Sequence, residues 1–403
     1  MDQFRTVQHY WTSQDWLGKR MLFLSGPRQV GKTTLVKDKL CRIRENYFNW
    51  DSPQVRSSYR KDSSFFVHDN LKSGDWVCFD EIHKRPRWKD ILKGVYDVYN
   101  DRCRFVITGS ARLEVFRKSG DSLVGRYFLT HLFPLNFGDF KKNDFKLFNT
   151  SQELLSDALD QKDSHEIQQT LLNLGGFPEP FFSGREQFWK RWHLQHEDLI
   201  LREDLRDLTR IQEMDKIAAL LDCLRPSIGG TTSNLSLGED LEASHTTIKR
   251  WLEELSKVSL IFKVPAYSKN LRRVYRKEAK WYFVDWRAVE KNRFENYVAA
   301  TLDRAATLLT DRYGERFSLF FIRTHQGDEV DFVLTKNNRP YLLIEAKEGK
   351  PEPSLACYTF CQKLNIPCVV VSSQPGWSKI LNQNSQHPMM ALLSFNKLAQ
   401  VLP

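Results

Sequence analysis

The stretch Ser25-Gly26-Pro27-Arg28-Gln29-Val30-Gly31-Lys32-Thr33-Thr34-Leu35 limits what this chain can fold into more than any other. It fits Gly-x-x-x-x-Gly-Lys-[Ser/Thr] without a gap. Its flanks suit the pattern, because residues 20–24 read as a buried strand and residues 33–40 as the start of an amphipathic helix. A strand, a glycine-rich turn and a helix N-terminus gather backbone N–H groups around one point, which suits a di- or triphosphate. Gly26, Pro27, Arg28, Gln29, Val30, Gly31, Lys32, Thr33 and Thr34 are therefore the expected nucleotide contacts. Lys32 would neutralise β- and γ-phosphate charge and Thr33 would offer its hydroxyl to the metal, so ATP and Mg²⁺ are the expected cofactors.

A second strand should end in acid beside that loop. Trp76-Val77-Cys78-Phe79 is a continuous apolar run followed by Asp80 and Glu81, as expected of a parallel strand buried on both faces. Asp80 is the expected metal-shell residue and Glu81 the residue that polarises the attacking water. A third strand, 105–108, runs into Gly109-Ser110, which offers Thr108 or Ser110 as a sensor of the γ-phosphate. With further strands at 21–25, 47–50 and 127–132 and helical patterns between them, residues 1–139 read as a doubly wound parallel sheet. Arg126, just ahead of the last strand, is either a finger reaching a neighbouring subunit's nucleotide or a surface ion pair.

At 403 residues the chain is long enough for several domains with their own cores. No apolar run is long enough to cross a bilayer, and the start, Met1-Asp2-Gln3-Phe4, lacks a signal-peptide pattern. The seven cysteines lie mostly in apolar contexts without zinc-ligand spacing, so a reducing, cytoplasmic setting is expected. Net charge is +10 and unevenly placed: 257–287 holds nine basic residues against Glu278 and Asp285. Such clustering is the footprint of a polyanion partner.

Residues 140–230 read as helical, with a sharp turn at Gly175-Gly176-Phe177-Pro178 and an apolar stripe of Trp189, Trp192, Leu199 and Leu201. Residues 231–290 read differently. A short helix precedes Ser244, a plausible N-cap, and a second helix follows with Ile248, Trp251, Leu252 and Leu255 on one face. His245, Thr246, Lys249 and Arg250 fall on the other face, and two strands then flank a basic turn from Lys269 to Lys277. That is a helix-turn-helix with a wing, and DNA is its expected partner through helix residues 245–250 and wing residues 269–280.

Residues 291–403 read as α-β-β-β-α-β, with a turn at Asn337-Asn338. Pairing the strands on either side of that turn would bring Asp331, Glu345 and Lys347 together, with Glu329 on the same face as Asp331. Two carboxylates could hold Mg²⁺ against a phosphodiester while the lysine orients or deprotonates water. The plain alternative is a pair of amphipathic strands with surface charges, although acids set inside apolar runs are costly without a partner.

Taken together, these motifs resemble a prokaryotic family that joins an AAA-type ATPase, with a loop reading Gly-x-Arg-Gln-x-Gly-Lys-Thr, to a C-terminal DUF4143 region. The residues that carry the resemblance are those at 26–34, Asp80-Glu81, Thr108-Gly109-Ser110, Leu123-Val124-Gly125-Arg126, 175–180, Tyr267-Ser268-Lys269-Asn270-Leu271, 328–331 and 344–347. The resemblance implies an α/β multidomain chain: a P-loop parallel-sheet ATPase core, a helical lid, a winged helix and a restriction-endonuclease-like domain of the PD-(D/E)xK type. It further implies Asp331, Glu345 and Lys347 as the nuclease signature, with Glu295 as an extra acid. The expected function is an ATP-hydrolysing protein acting on DNA, in an oligomer if Arg126 acts in trans. The rival is a nucleotide-gated switch that docks a protein and carries an inactive nuclease-like domain.

Overall fold

The structure, a computed structural model, describes residues 14–41, 43–109, 123–140, 145–206, 213–268, 279–324, 326–382 and 388–403. A first unit contains the described residues up to Phe133, and a second contains Pro134–Ser256 and Leu260–Pro403.

In the first unit the apolar runs form β1 (Met21–Ser25), β2 (Tyr47–Asn49), β3 (Trp76–Asp80), β4 (Arg104–Thr108) and β5 (Tyr127–His131). All neighbouring pairs are parallel, in the order β2-β3-β4-β1-β5. The loop after β1 enters α1 (Lys32–Leu35), which a π turn continues over Val36–Leu40. α2 (Pro53–Lys61) and α3 (Trp88–Tyr99) follow, and α3 buries Trp88, Leu92 and Val95. Phe66, Phe79 and Phe105 form an aromatic centre with edge and stacked contacts 5.5 to 5.9 Å apart. Each is fully or almost fully buried, contributing about 1.5–3 kcal/mol apiece.

β4 lies between β1 and β3, a crossover that the strand pattern alone does not predict. Its register sets Thr108 beside Leu24 on one side and Asp80 on the other. The polar ends of three strands therefore share one edge of the sheet. Sheet order, more than any single residue, builds the candidate site.

The second unit begins with a layer of helices: α4 (Ser151–Leu159), α5 (His165–Leu174), α6 (Pro178–Ser183), α7 (Glu186–Leu199), α8 (Met214–Leu224), α9 (Asn234–Asp240) and α10 (His245–Lys257). β6 (Ile261–Pro265) and β7 (Ala279–Phe283) then pair antiparallel. After α11 (Arg293–Tyr313) come β8 (Phe317–Arg323), β9 (Glu329–Lys336), β10 (Arg339–Lys347), α12 (Leu355–Leu364), β11 (Cys368–Ser372), β12 (Ser378–Asn382), β13 (Met390–Ser394) and α13 (Phe395–Ala399). The six strands form one mixed sheet in the order β12-β13-β11-β10-β9-β8. Asn337 and Asn338 both take positive φ, 52° and 64°, as a two-residue hairpin between β9 and β10 requires.

The regions read from sequence as lid, winged helix and C-terminal domain lie in this second unit, apart from Lys257–Ser259, which group with the first. Residues 134–139, grouped with the first block from sequence, lie there too, and Asp139 forms a buried ion pair with Arg304 of α11. Among the described residues, no helix is long and apolar enough to cross a membrane.

Candidate functional site

The glycine-rich loop has the backbone its sequence demands. Gly26 takes φ 154°, and a Cβ there would sit 2.1 Å from the Leu132 carbonyl oxygen, so no other residue fits. Gly31 caps α1 at φ 98°, and Gln29 between them is left-handed at φ 59°. Val30 is fully buried and anchors the turn, and Pro27 is buried beside it. Arg28 is half-buried, while Gln29 and Thr34 are exposed. A helix leaves its first N–H groups without intrahelical partners, and here that end opens on the loop. Lys32 Nζ donates to the carbonyls of Gly26 and Pro27, at 2.8 and 2.7 Å.

Asp80 ends β3, buried among hydroxyls. Its Oδ2 accepts from Thr33 Oγ1 at 3.2 Å and from the Tyr47 hydroxyl, and its Oδ1 accepts from Thr108 Oγ1. Nothing local in the sequence marks Tyr47, on edge strand β2, as facing an acid 33 residues further on at the end of the next strand. Burial, together with the Asp80 carboxylate, pushes the Tyr47 hydroxyl pKa well above its usual value, so it stays protonated and donating.

Glu81 turns off the strand at φ 61°, with its N–H on the Thr108 carbonyl at 3.1 Å. Its Oε2 lies 3.5 Å from His83 Nε2 and 3.4 Å from Lys84 Nζ. Burial raises its pKa, with the neighbouring Asp80 charge adding to the rise and Lys84 and Lys32 opposing it. Lys32, Thr33, Asp80, Glu81 and Thr108 thus converge at one sheet edge. Ser110 lies outside the described residues.

Arg126 is elsewhere. Its carbonyl accepts from Met21 N at the start of β1, which puts it at the opposite edge of the parallel sheet from the loop. Its guanidinium makes two hydrogen bonds to Asp97 of α3, Nε to Oδ1 at 2.8 Å and Nη2 to Oδ2 at 3.2 Å.

The second constellation forms on the β9–β10 hairpin. Ile344 pairs with Phe332, and continuing this register sets Glu345 across from Asp331. Asp331 Oδ2 accepts from the Ala346 N–H at 2.9 Å. Glu345 lies at the N-terminus of α12, where its Oε2 accepts from Ser354 N at 3.0 Å and Cys357 Sγ at 2.8 Å. Lys347 Nζ holds Oε1 of the same carboxylate at 2.9 Å. The burial of Glu345 would raise its pKa, but the Cys357, Lys347 and Ser354 contacts outweigh it and hold the group below its usual range. Asp331 moves the other way, up to about 7, through burial and then the charge of Glu295.

One residue corrects the sequence reading. Lys280, counted there with the basic wing, is fully buried and paired with Glu329, 3.5 Å from Glu295 and 4.0 Å from Asp331. The reason is strand geometry: all five residues of β7 are buried, so its side chains face the interior on both sides. Arg287 likewise pairs with Glu186 and lies over Trp189, in place of an open basic face. The wing residues Lys269, Arg272, Arg273, Arg276 and Lys277 lie outside the described residues, as do Asn270 and Leu271.

The Mg²⁺ expected between Asp331 and Glu345 does not fit the side chains as they stand. Both Glu345 oxygens and one Asp331 oxygen are committed to protein donors, and a lysine ammonium faces the remaining acids. Among the described residues no group of three or more His, Cys, Asp or Glu side chains is arranged to hold a metal ion.

On α10 the Ser244 hydroxyl accepts from Thr247 N at 3.1 Å and caps the helix. Ile248, Trp251, Leu252 and Leu255 are buried, while His245, Thr246, Lys249 and Arg250 are exposed. Gly238 closes the turn from α9, since a Cβ there would meet the Ala243 carbonyl oxygen at 2.5 Å.

Residues 18–141 match the family model described as an AAA domain. That match and the loop-and-acid geometry define the region as an AAA-type P-loop ATPase domain, a class that binds nucleotide. Residues 165–286 match a domain of unknown function, DUF8612, a different region from the DUF4143 that the resemblance implies. The chain is similar to the uncharacterized protein MJ1544 of Methanocaldococcus jannaschii, at 24% identity over 79% of this chain and 73% of that one. It is also similar to the uncharacterized protein Rv2008c of Mycobacterium tuberculosis, at 24% identity over 80% of this chain and 69% of that one. Among solved structures, the Aeropyrum pernix ORC1 protein in complex with DNA aligns with 70% of this chain and 86% of its own. It does so at 14% identity and a TM-score of 0.29, too low to say anything about this chain.

Proposed function

We propose that this chain hydrolyses ATP in its first unit and binds DNA through its second. The observation that carries the first half is the convergence of Lys32, Thr33, Asp80, Glu81 and Thr108 on one sheet edge. The backbone of the loop formed by Gly26, Pro27, Arg28, Gln29, Val30, Gly31, Lys32, Thr33 and Thr34 cradles the phosphates, and Lys32 neutralises them. Thr33 and Asp80 would hold Mg²⁺, which when bound would supply charge neutralisation at the phosphates. Glu81 orients the attacking water and takes up its proton, a task its raised pKa suits. Thr108, with Ser110, reads the γ-phosphate. Arg126 acts on a neighbouring copy's nucleotide or not at all, given its place at the far edge from its own loop.

The DNA reading rests on the α9–turn–α10 geometry followed by the β6–β7 hairpin, read as a winged helix. Four exposed polar residues on α10 and exposed Lys263 on β6 support it. The C-terminal sheet and helices are read as nuclease-like in topology. A second reading, a nucleotide-gated docking module without cleavage, is favoured by one observation, the Lys280 ammonium among the acids.

The test has two arms. ATP turnover, measured as phosphate release, should collapse in Lys32→Ala and Glu81→Gln, and parent-like turnover in both overturns the ATPase site. Binding to a labelled duplex should weaken steeply with salt and weaken further in Lys249→Glu/Arg250→Glu. Salt-independent binding, or none, removes the DNA half and leaves the docking module.

A further inference from the structure

The acids of the C-terminal cluster come from two elements: Glu295 from α11, and Glu329 and Asp331 from β9. Left alone, three partly buried carboxylates repel one another and favour a cation among them. One is built in. β7 sends Lys280 and, two residues on, Tyr282 into the cluster, where Lys280 pairs with Glu329 and the Tyr282 hydroxyl donates to Glu295 Oε1 at 2.8 Å. Lys280 Nζ also lies 5.5 Å from the Phe321 ring centroid, so its non-polar side is closed as well. The second Glu295 oxygen lies close to Gly229, where an added Cβ would come within 2.6 Å of it.

The strand that carries this lysine is fixed in place. Phe283 N donates to the Asn296 side-chain oxygen at 2.9 Å, and the same amide donates back to the Phe283 carbonyl at 2.7 Å. Both partners are buried, so the end of β7 is clamped to α11, the helix that also supplies Glu295. The clamp fixes a strand whose five residues are all buried, and with it the backbone that carries Lys280. Nothing comparable holds Lys347, which is more than a third exposed.

We propose that Lys280 is a permanent resident cation beside Asp331, the acid through which a nuclease-like site would take a divalent metal, so that Glu295, Glu329 and Asp331 form an ion cluster around a built-in ammonium. This rests on reading the C-terminal fold as nuclease-like, since only that reading predicts a metal there. The cluster holds the paired strands β6 and β7 against the C-terminal sheet, and does so without a metal ion.

The experiment is a titration of nucleotide-free, full-length protein with Mn²⁺, read by electron paramagnetic resonance of the free ion. The parent, Asp331→Asn, Lys280→Met and Lys280→Met/Asp331→Asn would be compared, with folding checked by thermal melting. The parent and Asp331→Asn should bind Mn²⁺ identically up to millimolar concentration. Lys280→Met should gain a site that the added Asp331→Asn removes. Parent binding that depends on Asp331 overturns the proposal, and so does a folded Lys280→Met that gains no such site. If Lys280→Met does not fold, the parent against Asp331→Asn comparison alone decides. Cleavage of linear duplex in Mn²⁺ is the separate readout for the nuclease-like reading. A Lys280→Met variant that gains the ion but cuts nothing upholds the resident cation while removing that reading.

Discussion

Two strand-borne acids, Asp80 and Asp331, have similar sequence surroundings and opposite fates. Asp80 follows an apolar run and is met by three hydroxyls, from Thr33, Tyr47 and Thr108. Asp331 also sits in an apolar strand, but its neighbours are a buried ammonium, two further acids and a backbone N–H. Hydroxyls orient a carboxylate without neutralising it, so Asp80 keeps its capacity for a cation. A lysine neutralises the acids and closes the pocket. The partner set, and not the acid, separates a candidate metal site from a structural ion cluster.

The comparison breaks most readily at Lys280. Replacing it with Ala leaves Glu295 without its cation and Glu329 with only the half-exposed Arg323, and stability to denaturant should fall by about 3–5 kcal/mol. Lys280→Ala/Glu329→Gln should recover part of that loss. A change of less than about 1 kcal/mol in the single variant would mean the cluster is as loosely coupled as a surface pair. Next in size is Glu81→Gln, expected to lower kcat for ATP by about 10²–10³ with little change in KM. Glu345→Gln, on the other hairpin, should leave that turnover unaltered. An equal loss in both would erase the contrast between the sites.

A pH series sharpens it further. Asp331 binds its proton more tightly folded, near pH 7, than unfolded, near its ordinary 3.8. Between those values the folded state carries the extra proton, so this group's contribution to stability is full below about pH 4 and falls as pH rises towards 7. Asp331→Asn should therefore gain on the parent in denaturant titrations at pH 7.5 relative to pH 5. A constant difference across that window would place the Asp331 pKa at its ordinary value. The smallest effect belongs to Arg126→Ala, which loses a largely solvent-facing pair with Asp97 and should leave the denaturation midpoint close to the parent's. Any loss of ATP turnover in that variant should grow with protein concentration, because the residue lies at the wrong sheet edge to act on its own loop.

Much of the local architecture was legible in the residues. The phosphate loop, the β9–β10 turn at Asn337-Asn338 and the Ser244 cap follow from short-range rules: glycine where φ is positive or space is absent, asparagine in a left-handed turn, serine at a helix start. Burial on α10 followed from its 3.6-residue period. Less was legible at the C-terminal end, where β12, β13 and α13 went unread. Lys280 was misread for a related reason. A lone lysine beside Trp281-Tyr282-Phe283 looks like the base of a basic wing, and no local rule says the strand is covered on both faces.

By itself, then, the sequence determined which segments become strands and helices and which residue types stand at their ends, because those depend on backbone sterics and periodicity over a few residues. Only the tertiary structure decided that β4 inserts between β1 and β3 and so brings Thr108 to Asp80. It alone decided that Tyr47 reaches the same carboxylate, and that a lysine meets acids 15 to 51 residues further along the chain. Those outcomes depend on long-range packing, where the cost of burying a charge is met by whichever partner the fold brings within a few ångströms.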